Sequence, residues 1–328
     1  MGTSTCLFSR ARPGKSTLKK VRGFLSLPAE LRNQVYQYYF EPDFRCEIAA
    51  KGSQLKEREA RTVKLYAGAF QSDNRVLKYE SKAKEEGPLT VRVSRPLGQY
   101  NIVKGLRTNW LASLFAINLV CKQIHAETLP YLYRETTFVF DASNRLLNFL
   151  GVISSSKLHH ITKLQIHYAT YGNPRMSVDR KWKEKHNQSW VRSCSAASKK
   201  LVDLRELEIW IRVHDDPPRF NLRETWVAPL LQFRRLGQTT RVGDNSKPHE
   251  RKLKTVHIDL RTKWSGSCFG GNQELAKASE DLHCLFGGAI RSAILGAKEE
   301  LAMRAFNTAW NEDYHTWQFH LGFAETGW

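Results

Sequence analysis

A chain of 328 residues, 41% of them apolar, has enough carbon to bury one large core or two modest ones, which excludes global disorder. Its 51 Lys and Arg against 32 Asp and Glu leave a formal charge of +19, which suits an anionic partner, although the spread of basic residues along the whole chain favours a basic surface that serves solubility. No uncharged apolar run reaches the roughly 18–20 residues that a membrane-spanning helix needs.

Residues 1–22 contain Arg10, Arg12, Lys15, Lys19, Lys20 and Arg22 and no acid. They read as a disordered basic tail. A mitochondrial presequence shares that composition, but its apolar periodicity is missing here. Met1-Gly2 is followed by Cys6 where a myristoylation signal has Ser or Thr. "RPGKST" (12–17) is no phosphate loop, because Ser9 stands where the first glycine belongs and no strand leads into it.

"FLSLPAELRNQVYQYYF" (24–40) reads as a short helix with its start signal. Pro28 suits the first helical position, where its missing N–H costs nothing, and Glu30 faces the positive end of the helix dipole. Leu27, Leu31, Val35 and Tyr38 recur at helical spacing and form one apolar stripe. So short a helix is marginal alone. Its stripe therefore needs a partner, either this chain's second helical block or a groove on another protein.

Charge dominates residues 41–107. Within them "RTVKLYAG" (61–68) and "LTVRVSRP" (89–96) alternate and suggest an irregular hairpin. "WLASLFAINLVCKQIHAETLPYLY" (110–133) is a second helical block with Leu119, Val120, Ile124 and Leu129 near one face. Pro130 is expected to end that helix and to open a new short one. "TTFVF" (136–140) reads as a strand, and Asp141 and Ser143 as caps for the helix "NRLLNFLGVI".

Three similar strands follow: "HHITKLQIHYA" (159–169), "LRELEIWIRV" (204–213) and "LKTVHIDLR" (253–261). Helical stretches at 144–156, 190–201 and 225–236 precede them. This alternation predicts three or four parallel strands joined by crossovers. The fold class expected is α/β (α+β), an N-terminal helical module followed by a degenerate leucine-rich-repeat-like α/β layer. Residues 272–313 read as helical. The aromatics Trp310, Tyr314, Trp317, Phe319, Phe323 and Trp328 are expected to dock back on the core.

Motifs for chemistry are thin. Cys6, Cys46, Cys121, Cys194, Cys268 and Cys284 lie far apart with no C-x-x-C, which suits a reducing intracellular compartment and gives no metal site. "GSCFG" (266–270) has the form of a nucleophile elbow around Cys268, but the segment after it reads as helix rather than as strands bearing an acid and a histidine. His159, His160 and His167 flank a strand as surface or hydrogen-bonded residues, and Asp215-Asp216-Pro217-Pro218 is an acidic turn. No catalytic residue, metal or cofactor is expected. Lys181, Trp182, Lys183, Lys185, Trp190 and Arg192 interleave bases with aromatics, a candidate footprint for nucleic acid or another polyanion. The alternative for that stretch is a solvated helix face with both tryptophans in the core.

Two blocks carry a resemblance. "LSLPAELRNQVYQYYF" is similar to the opening of an F-box, whose helix starts Leu-Pro-x-Glu-Leu. "LVCKQIHAETLPYLYRETTFVF" (119–140) resembles the matching second half as found in the F-box-like proteins of filamentous fungi. A compact F-box is nearly contiguous, whereas residues 41–107 separate the halves here. The resemblance implies a basic tail (1–22), a split F-box-like module (23–135, with the insertion 41–107) and an α/β domain (136–328). It further implies a substrate receptor of a cullin–RING ubiquitin ligase, in the cytoplasm or nucleus. Leu27, Pro28, Leu31, Val35, Val120 and Ile124 would then meet an Skp-type adaptor, and the C-terminal part would select a protein client.

Overall fold

The alternating β-branched and aromatic segments all become strands of one sheet. In the computed structural model, residues 23–40, 44–49, 62–65, 89–93, 117–215, 218–237, 253–264, 269 and 271–317 are described. The strands are β1 (Phe44–Ile48), β2 (Thr62–Leu65), β3 (Leu89–Val93), β4 (Thr136–Phe140), β5 (Lys163–Ala169), β6 (Glu206–Val213) and β7 (Thr255–Thr262). Their order is β2-β3-β1-β4-β5-β6-β7, and every neighbouring pair is parallel.

The fold is therefore α/β, with more strands than the sequence suggests. Segments 61–68 and 89–96 do pair, but in parallel, with Thr62 opposite Thr90 and Leu65 opposite Val93. A parallel pair needs a long crossover, which the chain between them supplies, so no hairpin forms. The domain boundary also moves. One compact unit ends at Tyr39 and the other runs from Phe40 to Trp328. Within residues 41–107, β1, β2 and β3 extend the same sheet as β4–β7.

In the first unit a 3-10 turn (Phe24–Ser26) leads into α1 (Ala29–Tyr39). The second unit holds α2 (Lys122–Glu135), α3 (Ser143–Val152), α4 (Ser155–Leu158), α5 (Ser177–Lys200), α6 (Ala228–Leu231), α7 (Arg234–Gly237), α8 (Gln273–Ile294) and α9 (Glu299–Thr308). Contrary to expectation, Pro130 lies inside a continuous α2. It forfeits the bond its N–H would make one turn back; nearby, Thr128 Oγ1 lies 2.6 Å from Ile124 O and also meets Asn118 Oδ1. The caps expected for α3 differ too. Ala142 is the cap residue and makes no side-chain cap bond, Asp141 pairs with Arg145 at 3.4 Å, and Ser143 Oγ meets Ser189 Oγ of α5 at 2.7 Å.

From β4 to β7 the strands follow chain order across the sheet. Right-handed crossovers in a constant direction place every connecting helix on the same face. The packing agrees: Leu164, Ile166 and Tyr168 of β5 and Leu207, Ile209, Ile211 and Val213 of β6 share one core with Phe149, Cys194, Leu230, Phe286 and Phe306 of the helices. Side chains alternate across a strand, so the intervening residues of β5, β6 and β7 point to the opposite face.

Candidate functional site

The first helix shows the stripe outward. Leu27, Leu31 and Val35 are 38%, 46% and 44% exposed, and Tyr38 is more exposed still. The inward-facing residue of α1 is Tyr36, fully buried, with its ring edge-on to Phe24 at 5.7 Å. The chain enters the helix in a fixed way. Arg32 Nη1 donates to Leu27 O at 2.5 Å, Ser26 Oγ donates to Gly23 O at 2.6 Å, and Pro28 O accepts from Arg32 N at 3.2 Å. Exposed Pro28 thus stands one residue ahead of the helix, with its carbonyl already in the ladder.

The second block divides its candidates. Val120 is exposed, whereas Ile124 is buried on α2. Cys121 caps that helix by accepting Ile124 N at 3.5 Å, and His125 Nδ1 lies 3.1 Å from Asn118 O. Ile124 is thus a buried residue, not an exposed one.

The basic stretch also divides. Trp190 is buried against Tyr168 (ring centroids 5.0 Å apart), so it offers no surface for stacking. Lys183 Nζ binds Asp215 at 2.6 Å and Asn173 at 2.7 Å. Lys181, Trp182, Lys185 and Arg192 remain outward, with the Lys185 ammonium 4.7 Å from the Trp182 ring centre.

A third feature escaped the sequence reading. On the opposite face of the sheet, β5 and β6 set Gln165 opposite Glu208 and His167 opposite Trp210, while β7 sets Asp259 opposite Trp210. Arg45 donates to Glu47 Oε1 at 3.1 Å and to Gln165 Oε1, and Gln165 Nε2 lies 3.0 Å from His167 Nε2. The His167 ring stacks on Trp210 (5.6 Å, 14°). Trp210 donates to Glu208 at 2.7 Å, and Arg261 sits over the same indole at 5.4 Å. Burial, then the Arg45 charge, pulls the His167 pKa down to about 4. Period-2 alternation in β5 and β6 places these polar residues on one face; their mutual register is invisible without the pairing.

Neither nucleophile nor metal chemistry assembles among the described residues. Burial pushes the Cys46 and Cys194 thiols up to about 12, so they stay protonated. His283 is buried and held neutral. Its Nδ1 lies 2.6 Å from Ser279 O and its Nε2 2.9 Å from Thr262 Oγ1, and burial lowers its pKa. No group of three His, Cys, Asp or Glu suited to a metal occurs among the described residues, and no helix there is long and apolar enough to cross a membrane. The segments "RPGKST" and most of "GSCFG", Cys268 included, lie outside the described residues.

Comparison with known proteins returns one finding. A family model described as a domain of unknown function, DUF7730, matches residues 20–232, which span α1, the first six strands and α5. No curated protein and no solved structure matches the chain.

Proposed function

The chain belongs to the DUF7730 family, and we propose that it is a non-enzymatic interaction module: an F-box-type substrate receptor that docks an Skp-type adaptor of a cullin–RING ubiquitin ligase through α1. The observation that carries this reading is the outward stripe of Leu27, Leu31 and Val35. Leu31 and Val35 at i and i+4 on α1, with exposed Leu27 on the extended residue two positions before it, offer the aliphatic tips that a helix-in-groove contact uses. The opening "LSLPAELRNQV" is similar to an F-box start, which supports the choice of occupant. The alternative, that the stripe packs internally, loses support because the buried residue of α1 is Tyr36, against Phe24 of the same unit.

The mechanism is recognition alone. One helical surface engages the adaptor, and the α/β unit engages a client. That role belongs in the cytoplasm or nucleus. Fully burying a Leu or Val is worth about 1.5–3 kcal/mol, and roughly half of each side chain is already covered. Docking of Leu31 and Val35 therefore gains about 2 kcal/mol together, or about 30-fold in affinity. The test is capture of purified Skp-type adaptor by the full chain, by Leu31→Ser/Val35→Ser, and by Pro28→Ala/Leu31→Ala. Each variant's folding is checked by circular dichroism. Binding by wild type, weakened in variants that melt like wild type, upholds the proposal. A wild-type chain that captures no adaptor, or variants that unfold, removes it.

A further inference from the structure

The start of α5 carries a second unpartnered surface, independent of α1. Val178, Lys181, Trp182 and Lys185 fall at i, i+3, i+4 and i+7 and so share one helix face. Val178 is 63% and Trp182 53% exposed, and Met176, just before the helix, is 70% exposed. Tyr171, also exposed, sits beside His186 with rings 6.1 Å apart, one turn beyond Trp182. At about 100° per residue, the two acids of this stretch, Asp179 and Glu184, lie about 110° to either side of that face. The face itself therefore combines apolar tips with lysines and no acid, and Arg175 adjoins it.

Two details set it apart from ordinary surface. Met176 occupies the N-cap of α5 and makes no side-chain cap bond, although Ser, Thr, Asp or Asn there would stabilise the helix by about 1 kcal/mol. The loop that presents it is also fixed. Lys183 clamps Asn173 and Asp215, His186 Nε2 donates to Ala169 O at 2.9 Å, and Thr170 N donates to Arg212 O at 2.9 Å. The tips thus protrude from a rigid base.

We infer that this face is an anionic-membrane contact: Met176, Val178 and Trp182 enter the interfacial region while Lys181, Lys185 and Arg175 meet acidic headgroups. Charge complementarity selects an anionic partner. The aliphatic tips select lipid over nucleic acid, since Met and Val have no ring on which a base stacks, and an apolar tip with a lysine rim is the pattern of interfacial anchors. Each lysine near an anionic surface is worth about fivefold in binding, so the contact is weak and reversible.

The test is sedimentation of the full chain with vesicles of phosphatidylcholine plus phosphatidylserine, with pure phosphatidylcholine vesicles and a single-stranded oligonucleotide alongside. Sedimentation only with the acidic vesicles is expected. It should weaken about 30-fold or more in Lys181→Glu/Lys185→Glu and at least about tenfold in Met176→Ser/Trp182→Ser, with unchanged thermal melting since all four residues are exposed. No sedimentation, full binding by Met176→Ser/Trp182→Ser, or binding to the oligonucleotide alone overturns the inference.

Discussion

Lowering the pH from about 7 to about 5 is expected to destabilise the α/β unit, with His167 as a principal cause. Arg45 occupies the amide oxygen of Gln165, so the Gln165 NH2 faces His167 Nε2 at 3.0 Å, and that nitrogen must keep its lone pair. Burial and then the Arg45 charge lower the pKa from 6.5 to about 4, against opposing pulls from Glu47, Asp141 and Asp259. Between those values the unfolded chain holds a proton that the folded chain refuses. The contribution is thus fully present above pH 6.5 and is lost as the pH falls toward about 4. At about pH 5 the loss from this one group is about 2 kcal/mol, rising to about 3 kcal/mol below pH 4. The assay is urea unfolding at both pH values for wild type and His167→Gln. The variant is expected to lose stability at neutral pH but to fall less steeply with acid. His283, also lowered by burial, contributes equally to both proteins and cancels in the comparison. Equal pH slopes for the two proteins would show that His167 is not held neutral, and the reasoning from Arg45 through Gln165 would fail.

Tyr36→Ala, which removes the buried ring beside Phe24, is expected to cost the first unit about 3 kcal/mol, seen as faster hydrogen exchange across residues 24–39. Leu31→Ala is expected to stay within about 0.5 kcal/mol in the same measurement. Gly172 has φ +83°, and a Cβ there would lie 3.1 Å from His214 O. Gly172→Ala should therefore lower stability by about 1–2 kcal/mol in chemical denaturation, with no effect on adaptor capture. Alkylation of the native chain at neutral pH, read by peptide mass spectrometry, is expected to label Cys284, which is exposed, and to spare Cys194, which is buried and protonated.

What the sequence discloses tracks how local the physics is. "TTFVF", "LRELEIWIRV" and "LKTVHIDLR" are legible because their alternation reflects one buried face; β4 and β6 fall within their spans, and β7 runs one residue beyond its own, to Thr262. β1 is hidden: Phe44–Ile48 places Arg45 and Glu47 on a buried polar face, so apolar alternation never develops. The parallel pairing of β2 with β3 depends on a long crossover that no local pattern reports. α5 begins at Ser177, well ahead of the expected 190, because its first half is solvated and lacks an apolar stripe of its own. The stripe of α1 is plain in the sequence, but which side faces inward is not. Tyr36 lies one residue from Val35, and only the packing of Phe24 decides between them.

From β4 to β7 the sheet is wound in one direction, so the helices that join those strands cover one face and polar and aromatic side chains line the other. On that face Arg45, Glu47, Gln165 and His167 form a chain of polar contacts whose members are buried or nearly so. A buried polar network is costly wherever a bond is missing, so such a chain tolerates few arrangements. Its last member stacks on Trp210 and fixes that indole from the β5 side as Arg261 does from β7. With its N–H committed to Glu208, Trp210 presents carbon only. The exposed groups around it are Glu206, Arg212, Thr255 and His257. Trp210 is thus a held aromatic surface ringed by both charge signs, where an unpaired charge pressed against the rim would cost more than the indole contact returns.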